Sequence, residues 1–135
     1  AHKTGAAYSG GHIVHGCANA MYLPKVIRFN AKEPEAAKRY AEIARFIDLK
    51  GSTDEELVAA LIAELRGMNE KLNIPTCIKE YEGGIIDETE FNEKLPSVAE
   101  LAVGDACTGS NPRPITPAEM EKLLTCCYYD KEVDF

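Results

Sequence analysis

Residues 14–29 read VHGCANAMYLPKVIRF. As a helix, this segment would be apolar on most of its sides, and a helix of that kind is buried in the core of a domain. We expect Pro24 to kink the helix or to mark its first break, because proline removes a backbone donor. The segment therefore predicts a buried helix of an all-α protein.

The next two segments predict amphipathic helices. Residues 35–47 place one apolar stripe toward the core: Ala36, Ala37, Tyr40, Ile43, Ala44 and Ile47. Thr53 and Glu56 form a capping-box pattern, in which each side chain satisfies a free backbone N–H at the start of a helix. The helix that they open carries a second apolar face, made of Leu57, Leu61, Leu65, Met68 and Leu72.

The C-terminal half is less regular until its last helix. Residues 75–96 contain a Gly83-Gly84 turn and a short helix within 87–93. Ser97 with Glu100 predicts a capping box that opens another short helix, ending near Val103. Thr116, followed by Pro117 and Glu119, predicts the last helix start, because proline is favoured at the first helical position. With no alternating β pattern and no repeat, residues 1–135 are predicted to form a single all-α helical bundle.

Composition excludes two classes of partner. The net charge is −7 and Lys and Arg form no dense block, so binding to nucleic acid through phosphate neutralisation is not expected. Charged residues such as Lys25, Arg28 and Glu64 interrupt the apolar stretches, so no membrane span is expected. The chain begins at Ala1, which fits a processed, truncated or excised segment as well as a complete protein.

The five cysteines do not form a disulfide or zinc pattern. Their number is odd, two are adjacent and no C-x-x-C pair occurs. We interpret them as reduced thiols of a cytoplasmic protein, most of them buried packing residues, with Cys107 as the candidate exception.

All three histidines lie near the N-terminus, at His2, His12 and His15. His15 comes just before Gly16 and the buried helix, where the helix dipole favours the neutral imidazole that binds metals. No carboxylate stands at a helical spacing among them. A hydrogen-bonded packing role is the alternative for each histidine, and the residues alone leave both interpretations open.

Two segments resemble one enzyme family. AHKTGAAYSGGHIVHGCANAMYLPKVIRFN, residues 1–30, is similar to the histidine-rich signature of the iron-dependent alcohol dehydrogenases, and GDACTGSNPRPITPAEMEKLL, residues 104–124, resembles that family's C-terminal segment. The likeness is strongest to the alcohol dehydrogenase part of the bifunctional acetaldehyde/alcohol dehydrogenases. It implies the helical C-terminal domain of the dehydroquinate synthase-like fold.

The resemblance also implies roles for particular residues. A carboxylate and three histidines hold one divalent metal in this family, usually iron and sometimes zinc. His15 matches the last of these histidines, whereas His2 matches a histidine beside the metal that acts on the substrate and is not itself a ligand. Asp105, Cys107 and Thr108 match a segment that lines the substrate pocket. The other ligands and the NAD-binding domain are expected to precede Ala1, so the isolated chain is expected to be inactive.

Three hypotheses remain open at this stage. The first is that the chain is a C-terminal fragment of an iron-dependent, NAD-linked enzyme that interconverts an aldehyde and a primary alcohol and that is expected to form a homo-oligomer. Alternatively, it is a small metal-binding module that uses His2, His12 and His15, or a stand-alone, non-catalytic helical scaffold that assembles with partners.

Overall fold

The computed structural model describes all 135 residues, and none of them lies in a β-strand. The α-helices are α1 (His15–Asn30), α2 (Pro34–Phe46), α3 (Asp54–Lys71), α4 (Glu88–Val103) and α5 (Pro117–Tyr129). Two short 3₁₀ segments span Ile78–Gly83 and Thr108–Ser110. None of these helices is both long and apolar enough to cross a membrane. The predicted all-α class is confirmed.

Helix α1 lies at the centre of the bundle. It packs against α2, α3 and α5, while α2 pairs with α3 and α4 pairs with α5. Its residues enter all three apolar clusters of the protein: Met21 joins the largest, Ile27 joins the cluster between α2 and α3, and Phe29 joins the cluster beside the C-terminal tail. The prediction of a buried first helix is therefore confirmed.

Pro24 lies inside α1, and the helix continues past it to Asn30. Proline has no N–H to offer the carbonyl four residues earlier, which here belongs to Ala20. The Asn69 side chain of α3 replaces that donor, since its Nδ2 lies 2.8 Å from the Ala20 oxygen. A side chain of a neighbouring helix thus satisfies the carbonyl that Pro24 leaves free, and α1 does not break at this residue.

The predicted capping box at Ser97 and Glu100 is wrong, because α4 is one continuous helix that begins ten residues earlier. Asp87 is its N-cap and accepts a hydrogen bond from the Glu90 N–H at 3.0 Å. The Ser97 hydroxyl donates to the Lys94 carbonyl at 2.9 Å, as a serine inside a helix does. Burial of Phe91, Val98 and Ala99 along one face favours the longer helix in spite of Pro96.

The other two caps differ in completeness. At α5, Thr116 accepts from the Glu119 N–H and the Glu119 carboxylate accepts from the Thr116 N–H, so the predicted box is confirmed. At α3, Thr53 accepts from the Glu56 N–H at 3.1 Å, but the Glu56 carboxylate accepts from the Ser52 N–H instead. The second half of that box is therefore shifted by one residue.

The apolar stripes of α2 and α3 are only partly buried. In α2 the buried side chains are Ala36, Ala41 and Ala44, while Ile43 and Ile47 of the predicted stripe are exposed. Ala41 and Ala44 of α2 share an apolar cluster with Leu57, Val58 and Leu61 of α3, so alanines are the buried side chains on the α2 side of this contact. In α3, Leu57 and Leu61 are buried, but the stripe ends in the exposed residues Met68 and Leu72.

The C-terminal tail is fixed to the bundle by charged groups that the sequence did not single out. Lys25 is only 4% exposed, and its Nζ lies 2.8 Å from Asp130 Oδ1 and 2.7 Å from the Lys131 carbonyl. Arg66 donates two hydrogen bonds to the same carboxylate, at 3.0 and 2.7 Å. Asp130 itself has a left-handed conformation with φ of 55°, which ends α5.

Candidate functional site

The loop before α1 brings the histidine-rich segment to the bundle through hydrogen bonds with distant residues. Thr4 is buried, and its hydroxyl accepts a hydrogen bond from the Tyr22 hydroxyl at 2.9 Å. The Val14 N–H donates to the Tyr81 hydroxyl at 3.2 Å, and Lys94 Nζ donates to the Ala7 carbonyl at 2.6 Å. These contacts fix both ends of the loop that carries His2.

Gly10 lets this loop lie close to the backbone at Ile85. A Cβ atom added at Gly10 would collide with the backbone carbonyl of Ile85. A residue without a side chain is required there for that reason. The glycines that separate His2 from His15 therefore allow the packing of the loop, and α1 begins only at His15.

His2 and His15 lie face to face. Their ring centroids are 4.9 Å apart and the rings are inclined by only 11°. His15 is the first residue of α1, and no side chain caps that helix end. All three histidines are exposed. His2 and His15 line one cavity of the protein, and His12 lies outside it. The stacked pair shows that the N-terminal loop and the start of α1 form one surface.

Asp105 lies beside this pair, just beyond the end of α4. His2 Nδ1 is 3.5 Å from its Oδ1 and 3.4 Å from its Oδ2, and Lys3 Nζ is 3.3 Å from Oδ2. The Cys107 N–H donates to Oδ1 at 3.0 Å. This backbone hydrogen bond, with smaller contributions from Lys3 and His2, holds the pKa of the Asp105 carboxyl well below its usual value. Asp105 is therefore a stable carboxylate that faces His2.

Cys107 and Thr108 belong to the turn that follows Asp105. The Cys107 side chain is exposed, unlike Cys77, Cys126 and Cys127, which are buried as free thiols. The Thr108 hydroxyl donates to the Ala102 carbonyl at 2.6 Å, which connects the turn to α4. The prediction that Cys107 differs from the packing cysteines is confirmed, and the Thr108 hydroxyl is engaged within the protein.

A cavity of about 270 Å³ joins these residues. All five residues selected from the sequence line it, namely His2, His15, Asp105, Cys107 and Thr108. They form its polar mouth. The deeper wall is apolar and comes from α1, α5 and the residue before α5's cap: Tyr22, Val26, Phe29, Ile115, Met120, Leu123 and Leu124. The arrangement offers one polar end and one apolar end to a ligand.

Donor atoms of metal-ligand type also meet at this mouth. One nitrogen of His2, one oxygen of Asp105 and the sulfur of Cys107 lie within 4.8 Å of one another. His15 is not part of that group, although its ring stacks on His2 and neither of its nitrogens makes a hydrogen bond within the protein. The structure therefore presents two sets of donors: a three-residue group, and one imidazole free to bind elsewhere.

Two kinds of site residue could not be predicted from the sequence. Lys3 pairs with Asp105, but a lone lysine beside a histidine carries no distinctive pattern. Ile115, Met120 and Leu123 lie far from the histidines in sequence, and an apolar residue of an amphipathic helix looks the same whether it lines a cavity or fills a core. Met120 and Leu123 are recognisable from the sequence as part of the apolar face of the last helix, but that pattern does not identify their role at a cavity.

Comparisons with known proteins agree on one family. The description "Fe-containing alcohol dehydrogenase family, C-terminal" belongs to the family model that matches residues 1–128. The NADPH-dependent butanol dehydrogenase of Clostridium saccharobutylicum is 53% identical over 135 residues, which are 100% of this chain and 33% of that protein. The aldehyde-alcohol dehydrogenase of Clostridium acetobutylicum is 40% identical over 129 residues, covering 85% of this chain and 15% of that protein.

A solved structure shows the same fold. The iron-containing alcohol dehydrogenase of Thermococcus thioreducens aligns with a TM-score of 0.70 at 32% sequence identity. The alignment covers 88% of this chain and 29% of that chain. The chain thus spans about a third or less of the length of these relatives, and the likeness extends over nearly all of its own length.

Proposed function

Because this chain belongs to the Fe-containing alcohol dehydrogenase family, whose C-terminal part it matches over residues 1–128, we propose that it is the C-terminal helical part of an enzyme that interconverts an aldehyde and a primary alcohol. The observation that supports this proposal most strongly is the stacked pair of His2 and His15 at the polar mouth of a cavity with an apolar interior. In the proposal, residues 1–135 act as one helical domain beside a nucleotide-binding domain.

The proposed metal site uses His15. Its imidazole is exposed at the cavity mouth and has no hydrogen-bond partner within the protein, which leaves a nitrogen available to a divalent metal. Imidazole is a suitable ligand for iron and for zinc. One imidazole does not complete such a site, so we propose that the remaining ligands come from the nucleotide-binding domain of the complete enzyme.

The proposed chemistry divides between bound groups and this chain. A bound iron or zinc would supply a Lewis acid for the substrate oxygen, and a bound nicotinamide would supply or accept the hydride. His2 would carry the proton of the alcohol oxygen. Its Nδ1 faces Asp105 at 3.4–3.5 Å, so a proton on Nδ1 is held by the carboxylate and Nε2 is left to exchange a proton with the substrate.

The pocket residues have different proposed roles. Asp105 orients the His2 ring, and Lys3 with the Cys107 N–H keeps Asp105 ionised for that purpose. The exposed Cys107 side chain lies at the cavity mouth, where it would contact substrate. Thr108 is a positioning residue, because its hydroxyl fixes the turn to the Ala102 carbonyl. NAD is the proposed cofactor class, and the butanol dehydrogenase relative is named for its phosphorylated form, NADPH.

A metal held by this chain alone is the competing arrangement. The grouping of His2, Asp105 and Cys107 within 4.8 Å favours it. The Lys3 ammonium opposes it, since it lies 3.3 Å from Asp105 Oδ2 and would repel a divalent cation bound to that carboxylate. The Cys107 N–H already occupies the other oxygen. We therefore favour His15 as the ligand and His2 as the proton carrier.

Metal content tests this assignment in the enzyme that joins this chain to its nucleotide-binding domain. His15→Ala should lose bound metal and activity together. His2→Ala should keep the metal but slow turnover by roughly 10²–10⁴-fold, the usual contribution of a general acid or base. His12→Ala is the matched control, because this histidine is exposed and lies outside the cavity. Equal metal loss in the first two variants would contradict the roles given to them.

The isolated 135-residue chain provides a second test. We expect it to retain no stoichiometric iron or zinc after gel filtration, to bind no nicotinamide dinucleotide and to show no alcohol oxidation. Retention of one zinc that is lost in Cys107→Ser but not in His15→Ala would instead support the metal module of His2, Asp105 and Cys107. A folded chain that binds no metal and lacks activity even when joined to the nucleotide-binding domain would favour a non-catalytic scaffold.

We also propose that copies of the enzyme associate and that it is cytoplasmic. Phe46 is 88% exposed, and Ile43 in α2 and Ile47 at its C-terminal cap are half-exposed. These three apolar side chains form a surface that favours association. All five cysteines are free, as is usual in the reducing cytoplasm. Light scattering of the isolated chain should show self-association that Phe46→Glu reduces, and an unchanged monomer in both proteins would contradict the proposed association.

A further inference from the structure

The interior of the cavity is larger and more apolar than the proposed chemistry at its mouth requires. Its volume is about 270 Å³. An engineered apolar cavity of about 150 Å³ stays free of water and binds a small hydrocarbon. Phe29, Leu123 and Leu124 on the inner wall are buried, while His2 and His15 at the mouth are exposed. The cavity therefore runs from a polar surface into the apolar centre of the bundle.

The charges at the mouth favour a neutral head group. Lys3 and Asp105 form an ion pair at 3.3 Å, so their charges offset each other. A carboxylate ligand would meet Asp105 without an unpaired cation to balance it. A hydroxyl or a carbonyl can exchange hydrogen bonds with His2 without any such cost.

We propose that this cavity binds the alkyl tail of a primary alcohol or aldehyde and that Val26, Ile115, Met120 and Leu123 set the length of tail that fits. The proposal rests on the proposed function, because it places the reacting oxygen at His2 and His15. It adds a specificity pocket formed entirely within this chain. Ala102 lines the same cavity from α4, and its small side chain leaves space that a larger residue would fill.

Binding of a series of primary alcohols to the chain tests the pocket without metal or nicotinamide. Ligand-observed NMR titrations from ethanol to 1-octanol should show affinity rising roughly fourfold with each added methylene until the tail fills the cavity. The methyl signals of Leu123 and Ile115 should shift with the longer alcohols. An alkanoate of equal length should bind more weakly than the alcohol. Affinity that is independent of chain length, or a preference for the alkanoate, would overturn the proposal.

Substitutions that change the cavity make the test specific. Ala102→Leu should weaken binding of 1-hexanol by roughly tenfold or more, because the leucine occupies space that the alkyl tail needs and even one methylene too many costs roughly 10–200-fold. Ala59→Leu is the matched control, since Ala59 is an exposed alanine of α3 away from this cavity. Ile115→Phe, in the loop before α5, fills the same space without altering a helix and serves if Ala102→Leu does not fold.

A variant that enlarges the cavity should shift the preference toward longer alcohols. Met120→Ala should move the plateau of affinity to longer alcohols, and the preferred substrate length of the complete enzyme should increase with it. If this plateau stays unchanged in all folded cavity variants, the tail binds elsewhere. Loss of metal in His15→Ala does not affect these titrations, so failure of the pocket and failure of the proposed enzyme function are distinguishable.

Discussion

The two ends of α1 are built in opposite ways. At the N-terminal end, Val14 provides no side-chain cap, the first turn has no acidic residue, and His15 is exposed without a hydrogen-bond partner. Near the C-terminal end, Lys25 is paired with Asp130, and Asn30 exchanges two amide hydrogen bonds with Asn111 at 2.8 and 2.9 Å. One end is left open toward a cavity, and the other is fastened on several sides.

The difference shows how a central helix serves a site at its end. Arg113 adds to the fastened end by donating hydrogen bonds to the carbonyls of Phe29 and Phe135, each at 2.9 Å, and by lying 3.8 Å over the Phe29 ring. Such contacts fix the helix direction, so the exposed His15 imidazole at the other end, which stacks on His2, keeps its place without hydrogen bonds of its own. Unsatisfied groups at a functional site are compatible with stability when the supporting elements are rigid.

The largest expected effect is at the fastened end. Asp130→Ala should lower the free energy of unfolding by about 3–5 kcal/mol, the usual cost of leaving a buried charge without its partner. Lys25 is that charge, because it is buried and Asp130 is its only carboxylate. Chemical denaturation monitored by circular dichroism measures the change. A loss below about 1 kcal/mol would show that Lys25 finds another partner and that Asp130 does little to hold this end of α1.

The dependence of stability on pH distinguishes the contribution of the Asp130 charge from that of its left-handed backbone conformation. Burial acts to raise the pKa of Asp130, but hydrogen bonds from Arg66 and Lys25 more than offset it, so the folded pKa is lowered. Its stabilisation is therefore fully present above the unfolded pKa of about 4 and is lost as the pH falls through the lower folded value. Asp130→Asn, which tolerates the left-handed backbone, should flatten this acid dependence of stability.

The middle of α1 gives a prediction of intermediate size. Asn69→Ala should cost about 1–3 kcal/mol, because the Ala20 carbonyl loses its donor. The cost should fall in a Pro24→Ala background, where the restored backbone N–H bonds to that carbonyl instead. A double-mutant cycle measured by denaturation gives the coupling, expected to be about 1 kcal/mol. Purely additive effects would mean that Asn69 does not compensate for the proline.

The fold was predictable where local chemistry and packing agree. The apolar segment of α1 predicts a buried helix, and the complete capping box at Thr116 predicts a helix start. Each signal lies within a few neighbouring residues. The helix start assigned at Ser97 was wrong because the Ser97–Glu100 spacing matches a capping box, while the buried contacts of Phe91 and Val98 extend across this position. Such contacts come from other helices, so the sequence around Pro96 does not contain them.

The site was predictable only through its short signals and its family resemblance. His2 and His15 were identified together with Asp105, and the structure brings all three to one cavity mouth. The hydrogen bond from Asn69 to the Ala20 carbonyl and the ion pair of Lys25 with Asp130 were not predicted, since each joins residues far apart in the chain. The apolar interior was missed for a different reason: a residue that lines a cavity and a residue that fills a core have the same side chain.

The smallest effect is expected from making the open end of α1 resemble a capped one. Val14 is 53% exposed at the N-cap position, so a hydroxyl there can accept from a free N–H of the first turn. Val14→Ser should raise the free energy of unfolding by about 0.5–1 kcal/mol relative to Val14→Ala, the control that removes the branched side chain without adding an acceptor. Amide hydrogen exchange of residues 15–17 should slow in Val14→Ser alone. If the two variants are equally stable, the first turn is already satisfied by water or by the loop, and the difference between the ends of α1 lies in their side-chain contacts and not in their caps.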